Sequence, residues 1–291
     1  MSPLALSCVV LPDQPLAEFL ARVRDVEQTG ARTVWTYDHL SWAGLRGGPW
    51  FATVPMLAAA AVTTTTVRLG TQVATPNFRH PVPFAQEVMT LDHLSGGRVD
   101  LGVGAGARDF DARVLGQAEL TLRERADRFE EWVALLVAGL PGGVTNHSGR
   151  YYTAVDAQTL PGSVQSPRVP LTVAATGPRG MRLAAEHADA WVTYGPYDRS
   201  LPPDEWLTAV AQQNESFAAV LGEVAPDRCV RRIAQVALDE QRPFADADTY
   251  AQLVQGLDDA GFDEVTVHWP RADGRGVPVD RLDDVVAAHL V

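Results

Sequence analysis

The sequence predicts an α/β fold, a (β/α)8 TIM barrel in one domain over residues 1–291, on three observations. Short apolar runs alternate with helical patterns along the whole chain. Most of those runs lack polar alternation, and no Pro/Gly/Ser-rich linker divides the chain. Parallel strands covered on both faces read as near-continuous Val/Leu/Ala runs, and strand–helix units repeated in this way close into a barrel. A doubly wound open sheet is the alternative. The even spread and a closing helical pattern at 281–290 favour the barrel.

Taken in order, the predicted strands cover 4–11, 32–37, 67–74, 98–103, 169–175, 189–194, 229–238 and 264–269. Between them lie helical patterns at 16–28, 55–62, 82–94, 123–140, 180–187, 203–221 and 247–260, with the last at 281–290. One stretch breaks the rhythm. Residues 142–170 are rich in Gly, Pro, Ser and Thr and read as an insertion loop before the fifth strand, reaching the barrel from its amino-terminal side.

Composition narrows the function. The net charge of −12 argues against nucleic acid or an anionic membrane surface as partner. The chain has no lysine, which excludes a Schiff base and a Walker lysine and leaves phosphate recognition to Arg or backbone N–H groups; compositional bias accounts for the absence. Cys8 and Cys229 lie far apart in apolar segments, so neither a disulfide framework nor a cysteine zinc site is expected, and a cytoplasmic location fits. The longest apolar run, 51–62, is too short to span a bilayer. The seven histidines show no metal-binding spacing, so no metal site is predicted.

Ligand sites of such folds lie beyond the carboxyl ends of the strands, and four strand ends stand out. The second ends in Tyr37-Asp38-His39, with Trp42 close behind; an Asp-His pair here suits acid–base work, or a structural histidine under a loop. The third ends in Gln72-Val73-Ala74-Thr75-Pro76-Asn77, followed by Arg79 and His80, where Arg79 is either a site residue or a solvated cation in a helix-entry loop. The fourth ends in Gly102-Val103-Gly104-Ala105-Gly106, which fails the dinucleotide fingerprint but lets a flat or bulky group approach the backbone, or tightens strand–helix packing. The fifth runs through Ala175-Thr176-Gly177-Pro178-Arg179 into a helix, a turn whose free N–H groups favour a phosphate. Glu130 and Glu131 read as helix-surface partners of Arg125 and Arg128. Tyr37, Trp42, Trp50, Phe51, Phe78 and Phe110 suit an apolar pocket or ordinary core.

Together these segments resemble the luciferase-like family of flavin-dependent oxidoreductases, which includes enzymes of the deazaflavin coenzyme F-420 and FMN-dependent monooxygenases. The likeness is carried by residues 30–39, 64–81, 91–98, 102–106, 149–152 and 184–191. It implies a flavin-type ring at the carboxyl ends of the barrel strands, backed by a bulge with a non-proline cis peptide at Gln72-Val73. It implies further that Thr75, Gly104, Ala105 and Gly106 lie on the cofactor side, that Ala175, Thr176, Gly177, Pro178 and Arg179 hold its phosphate, and that His39 stands beside the reactive face; Asn77, in the same turn as Thr75, is read from that turn as a cofactor-binding residue. Two departures are visible. Trp42 follows His39 by three residues, where deazaflavin sugar-phosphate dehydrogenases of the family place a tryptophan at four, and their glutamate falls here on Ala107. That points away from a sugar-phosphate substrate and leaves His39, Tyr37 or Asp109 as proton donor.

The sequence reading is therefore an oxidoreductase passing hydride between coenzyme F-420 and a small organic substrate, with His39, Tyr37 and Trp42 as its catalytic group. An FMN-dependent monooxygenase served by a separate flavin reductase is the alternative, and a catalytically silent flavin-binding relative is a third reading. A homodimer is implied by the resemblance.

Overall fold

The computed structural model describes residues 4–106, 110–196 and 201–289. Eight parallel strands close into a barrel in chain order: β1 (Ala5–Val9), β2 (Thr33–Thr36), β3 (Arg68–Ala74), β4 (Val99–Gly104), then, beyond a separate hairpin of β5 (Gly143–Ser148) and β6 (Thr153–Thr159), β7 (Leu171–Ala174), β8 (Ala190–Thr193), β9 (Arg231–Gln235) and β10 (Glu264–His268), which pairs back onto β1. The helices are α1 (Leu16–Gln28), α2 (Thr53–Ala61), α3 (Pro81–Ser95), α4 (Phe110–Val114), α5 (Leu122–Gly139), α6 (Pro178–His187), α7 (Pro203–Val224), α8 (Ala247–Asp259) and α9 (Leu282–Ala287). The barrel and its helices match the sequence reading to within a few residues at each end. The final residue of the 281–290 pattern lies outside the described residues.

Local chemistry sets the boundaries. Pro81 opens α3, needing no N–H there, and Gly96 closes it in the left-handed conformation with φ 67°. A capping box between Thr121 and Glu124 starts α5. Along β2, Val34 joins the large core shared with the helices, whereas Trp35 packs with Val9, Val192 and Ile233 in a second cluster inside the barrel. The period of two along a strand produces this division.

The barrel interior is layered. At its amino-terminal end lie buried Asp100 and Glu264, met by Arg68 at 2.9 Å and by Arg231 at 3.1 Å respectively. Burial pushes the Glu264 carboxyl above its ordinary range, against the pull of Arg231. Trp35 fills the middle, its indole N–H donating to Glu264 Oε1 at 3.5 Å. Gly70 makes room for it: a Cβ there would come within 2.6 Å of the ring and 2.0 Å of the Asp100 carbonyl.

The insertion before the fifth barrel strand is more structured than the sequence suggested. The antiparallel hairpin β5–β6 packs outside the barrel on α3 and α5. Alternate residues of β5 face solvent, Val144, Asn146 and Ser148 among them, and with one open face the strand lacks a continuous apolar run. Glu131 of α5 anchors it, accepting N–H bonds from Arg150, Tyr151 and Tyr152. The remainder does reach the amino-terminal side, where Gln165 binds Arg68 and the Val99 carbonyl. Among the described residues, no helix is long and apolar enough to cross a membrane.

Candidate active site at the carboxyl ends of the barrel strands

His39 pairs with Asp111, not with its neighbour Asp38. Its Nδ1 lies 2.7 Å from Asp111 Oδ2, and the other carboxylate oxygen accepts the Leu40 N–H at 2.8 Å. Asp111 is 2% exposed. A carboxylate on Nδ1 fixes the proton there and leaves Nε2 as the nitrogen available to a ligand. Asp38 turns the other way into a two-pronged bond with Arg79, at 3.0 and 2.8 Å, and Arg79 also reaches Glu87. The adjacent Asp-His therefore divides its duties. Asp38 is buried in this contact, and Arg79 is a half-buried clamp rather than a solvated cation.

Around His39 the loop after β2 builds an aromatic wall. The Trp42 ring lies 4.9 Å from that of His39 and 5.1 Å from that of Tyr37. The Trp50 indole donates to the His39 carbonyl, and the Thr53 hydroxyl donates to the Tyr37 carbonyl, fixing the backbone on both sides of Asp38. Tyr37, His39 and Trp42 are thus brought together. Of the other aromatics, Phe51 is exposed and Phe78 lies against Arg79.

Beside this wall, Gln72-Val73 is a cis peptide, and the β3–β4 register shifts between Thr71 and Ala74. Gln72 points into the barrel mouth and joins a chain of neutral hydrogen bonds: its amide donates to Gln235 Oε1, Gln235 donates to the Tyr37 hydroxyl at 3.1 Å, and that hydroxyl meets His268 Nε2 at 2.8 Å. Gln235 and His268 escaped the sequence reading because nothing local marks them; both face inward from late strands. The end of β4 closes against this bulge. A Cβ on Gly104 would lie 2.8 Å from Val73, and one on Gly106 (φ 78°) 2.4 Å from the Asn77 amide. Thr75 is buried and its hydroxyl accepts the Asn77 N–H, so it shapes this turn. Ala105 is half-buried, while Ala107, Asp109 and the Phe110 side chain lie outside the described residues.

At the end of β7, Ala175 and Thr176 lead to Gly177 and Pro178, the start of α6, with no side chain capping the helix. Gly177, Thr176 and Pro178 are exposed at the rim, where uncapped N–H groups favour an anion. Arg179 faces elsewhere, bound to Glu130 at 2.6 Å and to Asp127 at 2.8 Å, which also removes Glu130 from the expected pairing on its own helix. Arg125 and Arg128 bind the Gly106 carbonyl and Asn77 Oδ1 instead of Glu130 and Glu131.

These residues suit a flat polar ring with a phosphate. Gln72 is 1% exposed and its Oε1 is an acceptor without a partner; the glycines of β4 keep the adjoining floor free of side chains, and the uncapped turn of α6 offers N–H groups. The family model of luciferase-like monooxygenases matches residues 3–275. The chain belongs to the luciferase-like monooxygenase family. This luciferase-like chain is 39% identical over 196 residues to an F420-dependent glucose-6-phosphate dehydrogenase of Beutenbergia cavernae, covering 67% of its own length and spanning only 57% of that relative's. It is 31% identical to a 4-hydroxyprotoasukamycin monooxygenase of Streptomyces nodosus subsp. asukaensis, over 80% of this chain and 64% of that one. Among solved structures, an F420-dependent secondary alcohol dehydrogenase in complex with an F420-acetone adduct superimposes with a TM-score of 0.77, at 18% identity, over 99% of this chain and 100% of that chain.

Proposed function

We propose that this luciferase-like protein transfers hydride between coenzyme F-420 and a small organic alcohol or carbonyl compound. The observation that carries the reading is His39, held through Nδ1 by buried Asp111 beside the Gln72-Val73 bulge. Gln72, Val73, the Gly104–Gly106 turn, Thr75 and Asn77 would hold the ring, and the Ala175–Pro178 turn its phosphate. When bound, the deazaflavin supplies the carbon that gives or takes the hydride. His39 Nε2 takes the substrate hydroxyl proton in the alcohol-to-carbonyl direction and returns it in reverse, while Asp111 steadies the imidazole in both. The Tyr37–Gln235–Gln72 chain holds the barrel mouth in one arrangement, and Trp42 shields His39 from water on one side.

The runner-up is an FMN-dependent monooxygenase fed by a separate reductase, favoured by the monooxygenase relative. A homodimer belongs to the proposal on the same footing, as does operation in the cytoplasm. Equilibrium titration with coenzyme F-420 and with FMN, each oxidised and reduced, tests the reading. Micromolar binding of the deazaflavin alone, with anaerobic reduction of it by a secondary alcohol, is expected. Oxygen uptake with reduced FMN would transfer the assignment to the runner-up, and binding of neither cofactor would overturn both.

A further inference from the structure

Three arginines converge outside the carboxyl ends of β3 and β4. Arg113, Arg125 and Arg128 line an open cleft together with Asn77, Gln117 and Glu119. Most arginines of this acidic chain face carboxylates, as Arg79 does Asp38 and Arg168 does Asp189. These three differ: among the described residues none has an ion-pair partner. Arg128 is 9% exposed, and its one hydrogen bond goes to the neutral Asn77. Among the described residues, Arg125 bonds only to the Gly106 carbonyl. The Nε atoms of Arg125 and Arg128 are both buried without an acceptor. Among the described residues, Glu119 is the one acidic group lining the cleft, against three guanidiniums.

A buried guanidinium without an anion is costly, and three guanidiniums gathered on one open polar cleft favour a ligand anion there. Guanidinium forks match carboxylate and phosphate geometry better than an ammonium does. We infer that this cleft is an anion subsite, taking a carboxylate or phosphate carried on a flexible arm of a ligand whose ring or reacting carbon lies over the β3–β4 bulge. The assignment of that bulge rests on the function proposed above; the cleft itself does not. Two sources share this chemistry: the anionic tail of coenzyme F-420, and an acidic end on the substrate.

Calorimetric titration of glutarate, and separately of inorganic phosphate, into the protein at low salt tests the subsite. Saturable one-to-one binding is expected, weakened at least tenfold in Arg128→Gln and Arg125→Gln. Arg113→Gln, at an exposed position, gives the same direction of effect without risk to the fold. No saturable binding, or binding unchanged in all three variants, overturns the inference. Parallel titrations with coenzyme F-420 and with its tailless deazaflavin riboside identify the source. If the advantage of the full cofactor disappears in the variants, the anion is the tail; if it persists while glutarate binding is lost, the anion belongs to the substrate. Glutarate binding without binding of either deazaflavin would leave the subsite standing and remove the proposed cofactor.

Discussion

His39 and Asp111 are 72 positions apart, yet their side chains meet at 2.7 Å across the mouth of the barrel. The contact joins the loop after β2 to the short helix α4, and it gives a histidine at a strand end one defined protonated nitrogen. Replacing Asp111 with Asn keeps size but removes the charge and frees Nδ1. With coenzyme F-420 and a secondary alcohol, kcat is expected to fall on the order of 10²-fold, with KM nearly unchanged and partial recovery in Asp111→Glu. Equal losses in Asn and Glu variants would place Asp111 in the scaffold alone.

Gly106 is a second point of test. Its φ of 78° and its approach to Asn77 leave no space for a methyl group. Gly106→Ala should lower stability by about 1–3 kcal/mol, read as a shift in the urea midpoint, and should weaken cofactor binding more than Gly116→Ala, where φ is also positive but the space is open.

The Asp38–Arg79 clamp predicts a purely structural loss. Asp38 is 1% exposed, and its removal leaves a mostly buried guanidinium with Glu87 alone. Asp38→Ala is expected to cost about 3 kcal/mol. Denaturant unfolding measures this, and a change below experimental error would contradict the clamp.

The hairpin should respond to acid. Burial tends to raise the Glu131 carboxyl, but the N–H bonds from Tyr152, Tyr151 and Arg150 and the contact with His147 outweigh it and hold the group below its ordinary value. A depressed folded-state value means that this stabilisation is complete above the unfolded pKa, about 4.3, and is lost as pH falls through the folded one. Hydrogen exchange at amides 150–152 should therefore accelerate relative to the barrel below about pH 4, and should be fast at neutral pH in Glu131→Ala. An Ala variant with unchanged protection would exclude the anchor.

The barrel was legible because strands such as β8 and β10 are buried on both faces and carry their signal in every residue. The hairpin was not, since β5 has one solvated face and reads like loop sequence. Helix α4, of 5 residues, is too short for a periodic pattern. In the candidate site, the place of Tyr37, His39 and Gln72 at strand ends was legible in the sequence, and the structure brings Tyr37 together with His39 and links it to Gln72 through Gln235. Adjacency misled at Asp38-His39: successive side chains of an extended segment point in opposite directions, so neighbours in sequence seldom pair. Asp111, Gln235 and His268 are partners made by folding, and spacing along the chain carries no trace of them.

Trp35 plugs the barrel halfway along its axis, against Gly70 below the Tyr37–Gln235 layer. The cup above it is shallow, so a molecule larger than the ring can extend only outward, among the loops. Changes of substrate in this lineage are therefore expected to arise from loop replacement, with the lower half of the barrel free to drift for stability alone.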